Sequence, residues 1–495
     1  ETTLVDHSFP PWRTEMASSH PVYNKIYING EWVAASTSEM ADLINPATGQ
    51  VSGRVVRGNA KDVDRAVKAA REAFKTYSNT TKQERIHYLN AFAAEYEKRM
   101  EDVKRAVTVD IGAPVSFCNM MHGPAGLTTI RNSIDALNEI ELEIPRGQSM
   151  IVREPIGVTG LISAWNWPSL MMCSKVSTAL AAGCTIVFKP AELSTHASLL
   201  IAEMLEVVGL PMGVFNMVLG KGSVVGDAMS QHPGIDFISF TGSNGVGAKI
   251  ARTSADTVKR LGLELGGKSA FVVLPGAEVE KVAPLAVMVV MLNSGQSCGA
   301  GSRTVVPKDM QEDFVAAMKA VVRNFKVGDP TRDADLGPVV SEKQWRTIQG
   351  YIQAGIDEGA RLVIGGTGKP EGLEEGFYVK PTIFADVSNH MTIAQEEIFG
   401  PVASVIPYAS VEEAIEIAND SPYGLSGFVF GPDHQQANEV ARQMRTGYVS
   451  VNTINLDLSA PWGGYKKSGI GRENGVWGVE DMLEIKAINN YANLL

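Results

Sequence analysis

With 495 residues, 44% of them hydrophobic and 20% charged, the chain has material for two or three cores and lacks the composition of a disordered or fibrous protein. A formal net charge of −11 and the lack of any strongly basic stretch argue against a nucleic-acid surface, which needs clustered Lys and Arg to displace phosphate counterions. The longest apolar run, 282–292, is about half the roughly 20 residues that cross a bilayer, so neither nucleic acid nor membrane is expected as a partner.

Residues 1–19 carry Pro10-Pro11 and several charges without the apolar stretch of a secretory signal, and read as an N-terminal extension. Apolar positions three and four apart at 62–77 and 82–99 predict two helices that cover a sheet. The segment 139–153 alternates as a strand pair around Pro145-Arg146-Gly147. Beyond Pro155, strands at 158–162, 185–188, 214–218 and 236–239 alternate with helices at 170–182, 195–208 and 223–231, the second stopped by Gly209. Such alternation builds a parallel sheet with crossover helices, a doubly wound nucleotide-binding pattern. Strands at 270–274 and 303–306 with helices at 310–323 and 342–358 predict a second α/β unit, and 482–491 is strand-like again. The apolar run 282–292 reads as a buried helix leading to Cys298.

Four cysteines, Cys118, Cys173, Cys184 and Cys298, are too few and scattered for a disulfide framework and read as thiols of a reducing, cytoplasmic compartment. The eight histidines show no metal-ligand spacing, so no metal is expected.

Chemistry concentrates in a few motifs. Cys298 lies in Asn293-Ser294-Gly295-Gln296-Ser297-Cys298-Gly299-Ala300-Gly301, where small neighbours leave a thiolate open to a carbonyl. Upstream, Glu264 in Glu264-Leu265-Gly266-Gly267-Lys268 is a carboxylate that flanking glycines leave free to swing and to take a proton from water. Asn166, in Ser163-Ala164-Trp165-Asn166-Trp167-Pro168, follows a strand and precedes a proline that opens a helix. Its amide and the Cys298 backbone N–H form a donor pair for an oxyanion, worth about 3 kcal/mol per donor. Gly220-Lys221-Gly222-Ser223-Val224-Val225-Gly226 follows a strand, yet its glycines sit one residue too widely for the usual dinucleotide fingerprint. Phe240-Thr241-Gly242-Ser243 lies at the next strand-to-helix switch, a place for pyrophosphate. Lys189 and Glu192 follow the strand 185–188, where a carboxylate accepts the ribose hydroxyls and repels a 2′-phosphate. NAD is therefore the expected cofactor, with NADP a weaker alternative helped by Lys189.

Together with Lys189-Pro190-Ala191-Glu192, Glu396-Glu397-Ile398-Phe399-Gly400-Pro401 and Pro461-Trp462-Gly463-Gly464-Tyr465-Lys466, these motifs run in an order that strongly resembles the aldehyde dehydrogenase superfamily, from about Tyr27 to about Lys486. The resemblance implies Cys298 as nucleophile, Glu264 as general base for hydrolysis, Asn166 as oxyanion donor, and Lys175 and Glu473 as members of a proton path. It places Ile162, Ser163, Ala164, Trp165, Lys189, Glu192, Gly222, Gly226, Phe240, Gly242, Ser243, Val246, Leu265 and Gly266 at the cofactor, with Glu397 and Phe399 positioning the nicotinamide ribose and ring. It assigns Trp167, Met171, Ser174, Leu292 and Leu456 to an entry tunnel.

The expected fold class is α/β: a doubly wound parallel-sheet NAD-binding domain at 20–131 and 153–266, a second α/β catalytic domain at 267–469, and a small β oligomerisation element at 132–152 and 480–495 that makes a homodimer or homotetramer. The expected reaction oxidises an aldehyde to its acid through a Cys298 hemithioacetal and thioester, with hydride passing to NAD and Glu264 activating water. The presence of Glu264 favours hydrolysis over transfer to coenzyme A. A tunnel without an arginine disfavours acidic semialdehydes, and the small Ser174 suits apolar, aromatic or terpenoid aldehydes. The same Cys and Glu would also serve a thiol esterase without redox chemistry, and a non-catalytic scaffold would need none of the three polar residues.

Overall fold

The computed structural model describes residues 20–491; the extension at 1–19 and the last residues of the expected β element, 492–495, lie outside the described residues. Two large sheets and two small ones organise it.

The first large sheet runs, edge to edge, Gly469–Ile470, Arg260–Glu264, Phe237–Thr241, Val158–Ile162, Thr185–Lys189, Phe215–Met217, Lys25–Ile28 and Glu31–Ala34. The five strands from Arg260–Glu264 to Phe215–Met217 are mutually parallel, and antiparallel strands flank them. Val158–Ile162, Thr185–Lys189 and Phe237–Thr241 are buried at every residue, as strands covered on both faces must be. Successive connections leave Val158–Ile162 toward one edge and return to its other side at Phe237–Thr241, so the loops after these two strands splay apart and open a crevice.

The second large sheet runs Arg361–Ile364, Thr382–Ala385, Val402–Tyr408, Arg303–Pro307, Ala270–Val273, Ser426–Phe430 and Tyr448–Val451, parallel except at its first edge. Helix Val279–Met291 packs on helix Gln311–Arg323 and delivers the chain to Asn293 and Ser294, both left-handed at φ 55°. Leu483–Asn489, Ser149–Pro155 and Glu143–Arg146 form an antiparallel sheet, matching the strand pair and strand-like tail expected there.

Helix starts follow local chemistry. Ala60–Tyr77 begins two residues before the periodicity, because Asn59 and Asp62 close a capping box. Thr195–Val208 ends at Gly209 with φ 73°, as expected. The helix expected at 223–231 is corrected: Gly222–Gly226 is a π turn and only Asp227–Gln231 is α-helical. A π turn holds one residue more than an α turn, which absorbs the extra spacing between Gly222 and Gly226. A small sheet of Val22–Tyr23, Val51–Val56 and Met40–Ile44 was not foreseen. Among the described residues no helix is long and apolar enough to cross a membrane, and none of the cysteines is in a disulfide.

Candidate active site

Glu264 closes strand Arg260–Glu264, opposite Thr241 on one side and Gly469 on the other. Its side chain is buried and, among the described residues, Oε2 has no hydrogen-bond partner. Burial, and after it the charge of Glu473, holds its carboxyl well above the usual range, while Lys175 and Arg472 pull it down. The following glycines have a purpose other than letting the carboxylate swing. A Cβ on Gly266 would run into the Glu397 carboxylate, and one on Gly267 into the Cys298 carbonyl oxygen. Gly267 N–H also donates to Glu397 Oε1 at 3.0 Å. The Gly-Gly pair thus lets the loop carrying Cys298 and the strand carrying Glu264 touch backbone to backbone.

Cys298 follows the left-handed pair Asn293 and Ser294 and is partly exposed. Burial of the sulfur, then the charges of Glu397 and Glu264, push its thiol up to about 12. Burial and the two neighbouring carboxylates thus favour the thiol over the thiolate, against the opening effect expected from its small neighbours. Asn166, 2% exposed, donates from Nδ2 to Gln296 O at 2.9 Å, keeping one amide hydrogen for another acceptor. Its own carbonyl accepts from Asn293 Nδ2 at 2.9 Å. The two segments are thereby tied across 127 to 130 positions of sequence.

On the crevice side, Ser163 N–H donates to Lys189 O at 3.2 Å, drawing the loop Ser163, Ala164, Trp165 over the end of the sheet. The Trp165 ring meets Phe399 edge-on at 5.4 Å, and Phe399 holds a positive φ of 57°. Gly226 faces Ile162, Gly222 faces open space, and Gly242 N–H donates to Glu264 O at 3.0 Å. Ser243 precedes helix Asn244–Ser254, whose first turn exposes Val246, while Phe240 and Leu265 are buried beneath. Glu397 is pushed up to about 7, chiefly by burial. Lys189 is buried, bonded to Pro190 O at 2.7 Å and pushed down to about 8 by that burial. Glu192 is not free: Arg57 Nε donates to its Oε1 at 2.9 Å, and Arg57 also pairs with Glu39. Sequence alone gave no signal for Arg57, which reaches Glu192 only through folding.

A model of the Aldehyde dehydrogenase family matches residues 32–488. The chain belongs to the aldehyde dehydrogenase family. A Staphylococcus saprophyticus member is 45% identical over 95% of this chain and 99% of its own length. A mutant aldehyde dehydrogenase C from Pseudomonas syringae, in complex with NAD+ and octanal, superposes with a TM-score of 0.94 at 44% identity, covering 95% of this chain and 97% of that one. An aldehyde dehydrogenase of Mycobacterium tuberculosis complexed with NAD+ gives a TM-score of 0.93 at 41% identity, over 96% of this chain and all of that one.

In this dehydrogenase a small cavity beside Glu264 is lined by Ser174, Lys175, Ser239, Arg472, Glu473 and Asp481, among others. Lys175 is ion-paired with Glu473 and donates to Ser239 Oγ at 2.6 Å, and Ser239 donates to Glu473 at 3.1 Å. Ser239 and Arg472 carry no motif and were missed; a buried strand serine is unremarkable until its neighbours are known. Ser174 is 3% exposed, donates to Asn474 Oδ1 at 3.0 Å and lines this cavity. Trp167 donates from its indole to Ser297 Oγ at 3.1 Å, Met171 is buried on the same helix, Pro168–Ala182, and Leu292 is half-buried. Leu456 is 42% exposed in the loop beyond strand Tyr448–Val451. From the same loop Trp462 packs its ring against Gly299, next to Cys298 in the chain.

Proposed function

We propose that this aldehyde dehydrogenase oxidises an apolar, aromatic or terpenoid aldehyde to its carboxylic acid with NAD, through a thioester on Cys298 hydrolysed by water that Glu264 activates. The observation that carries the reading is the tie between three segments: Asn166 bonded to the backbone two residues before Cys298, and Gly267, three after Glu264, packed on the Cys298 carbonyl.

The residues fit a dinucleotide. The glycines at 222 and 245 have open space where a Cβ would be, Glu397 and Phe399 border the Cys298 loop, and Glu192, in the turn after strand Thr185–Lys189, offers a carboxylate to ribose hydroxyls. When bound, NAD supplies the hydride acceptor. Cys298 releases its proton to water and attacks as the thiolate, its sulfur bonding to the aldehyde carbon as the C=O π pair moves to oxygen, where the second amide hydrogen of Asn166 and the Cys298 N–H hold the negative charge. After oxidation, Glu264 takes a proton from water as the hydroxide oxygen bonds to the acyl carbon and the C–S bond breaks. Lys175, Ser239 and Glu473 then offer that proton a route away from the buried carboxyl.

The first large sheet serves the cofactor and the second carries Cys298, with a division near Gly267. The strand Leu483–Asn489, an edge strand with Ile485 69% exposed, supports a homodimer or homotetramer built on the small β element. Cys298→Ser should lose NADH formation from aldehydes while NAD binding persists; undiminished turnover would remove Cys298 from the chemistry.

A further inference from the structure

The π turn Cys118–His122 abuts the polar network behind Cys298, and its last residue takes no part in the chemistry above. His122 is fully buried, with Nε2 3.3 Å from Asn293 Oδ1. That amide is oriented from its other end, because Asn293 Nδ2 donates to Asn166 O at 2.9 Å and to Gln296 O at 3.3 Å. Oδ1 must then accept, so Nε2 carries the hydrogen and Nδ1 is left buried without a partner among the described residues. The imidazole also lies on Trp167, ring centres 4.6 Å apart and planes tilted by 34°, and Trp167 holds Ser297. One side chain therefore supports the Cys298 loop twice, through Asn293 to Asn166 and Gln296, and through Trp167 to Ser297. The loop needs support: Asn293 and Ser294 occupy left-handed backbone conformations that cost non-glycine residues energy. Burial keeps the imidazole neutral, pushed down to about 4, so this arrangement persists across the neutral range.

We propose that His122 is a positioning residue for the oxyanion donors, its Nε2–H fixing Asn293 so that the Asn166 amide and the Cys298 N–H stay aimed at one point. It touches no substrate, and the assignment rests on the function proposed above. His122→Phe keeps a ring against Trp167 and removes the donor; His122→Gln puts an amide nitrogen where Nε2 was. The Phe variant should lose about ten- to a hundredfold in kcat for NADH formation with KM for aldehyde nearly unchanged, and Gln should recover most of it. A residue that only fills space would change Tm without separating kcat from KM, and Gln would not rescue. If the Phe variant does not fold, Gln is compared with His122→Asn, whose amide nitrogen stops short of Asn293. Wild-type kcat in the folded Phe variant, or equal kcat for Asn and Gln, would overturn the assignment. A wild-type chain that forms no NADH with any aldehyde would overturn the dehydrogenase reading itself, and this assignment with it.

Discussion

Lys175, buried to its tip, is ion-paired with Glu473 in the cavity that also holds Glu264. Its positive charge lowers the Glu264 carboxyl against the burial and the Glu473 charge that raise it. Lys175→Met should therefore raise Glu264 further and move the acidic limb of the kcat–pH profile to higher pH. A profile that stays in place would separate Lys175 from the base.

Glu264→Gln should give a burst of about one NADH per site and then stall, because the thioester forms but water is no longer activated. Stopped-flow NADH absorbance reads this directly, and an unchanged steady state would put the base elsewhere. The same variant has a stability signature. Glu264 is held above its unfolded value, so the native chain keeps this proton where the unfolded chain has lost it. Stability from this group is present at low pH and falls as pH rises toward the folded value; Gln lacks that loss, so the stability of the Gln variant relative to wild type should rise with pH.

Glu397 is poised at about 7. If its carboxylate form accepts the ribose hydroxyls, NAD affinity should strengthen as pH rises from about 6 to about 8, and Glu397→Gln should bind weakly with little pH dependence. Titrating NAD by protein fluorescence at several pH values checks both.

Arg57 adds a consequence at Glu192. Glu192→Ser would remove the repulsion toward a 2′-phosphate and release the guanidinium from one of its two carboxylates, leaving its pair with Glu39. The ratio of kcat/KM for NADP over NAD should rise, and adding Arg57→Ala should erase most of that gain. Equal ratios in the single and double variants would show that Arg57 does not reach the phosphate.

Features legible in the sequence were those whose cause is local. A glycine after the last apolar turn marks the end of Thr195–Val208, and alternating buried strands announce the parallel sheet. Cys298, Glu264 and Asn166 stand out because their neighbours are unusual over a few residues. What stayed hidden depends on distance along the chain. Arg57 meets Glu192 across 135 positions and His122 meets Asn293 across 171, and neither partner carries a mark of the other. The purpose of Gly266 and Gly267 was misjudged for the same reason, since the atoms they make room for belong to Glu397 and Cys298.

Strand Gly469–Ile470 pairs antiparallel with Arg260–Glu264, and just beyond it comes Glu473. A nascent chain that has already exposed Asn166, Glu264 and Cys298 still has an uncovered sheet edge and Lys175 without its carboxylate. During synthesis this corner of the site therefore stays open until Glu473 has followed Cys298 out of the ribosome. Closing that edge is a late, long-range event of the kind that slows folding.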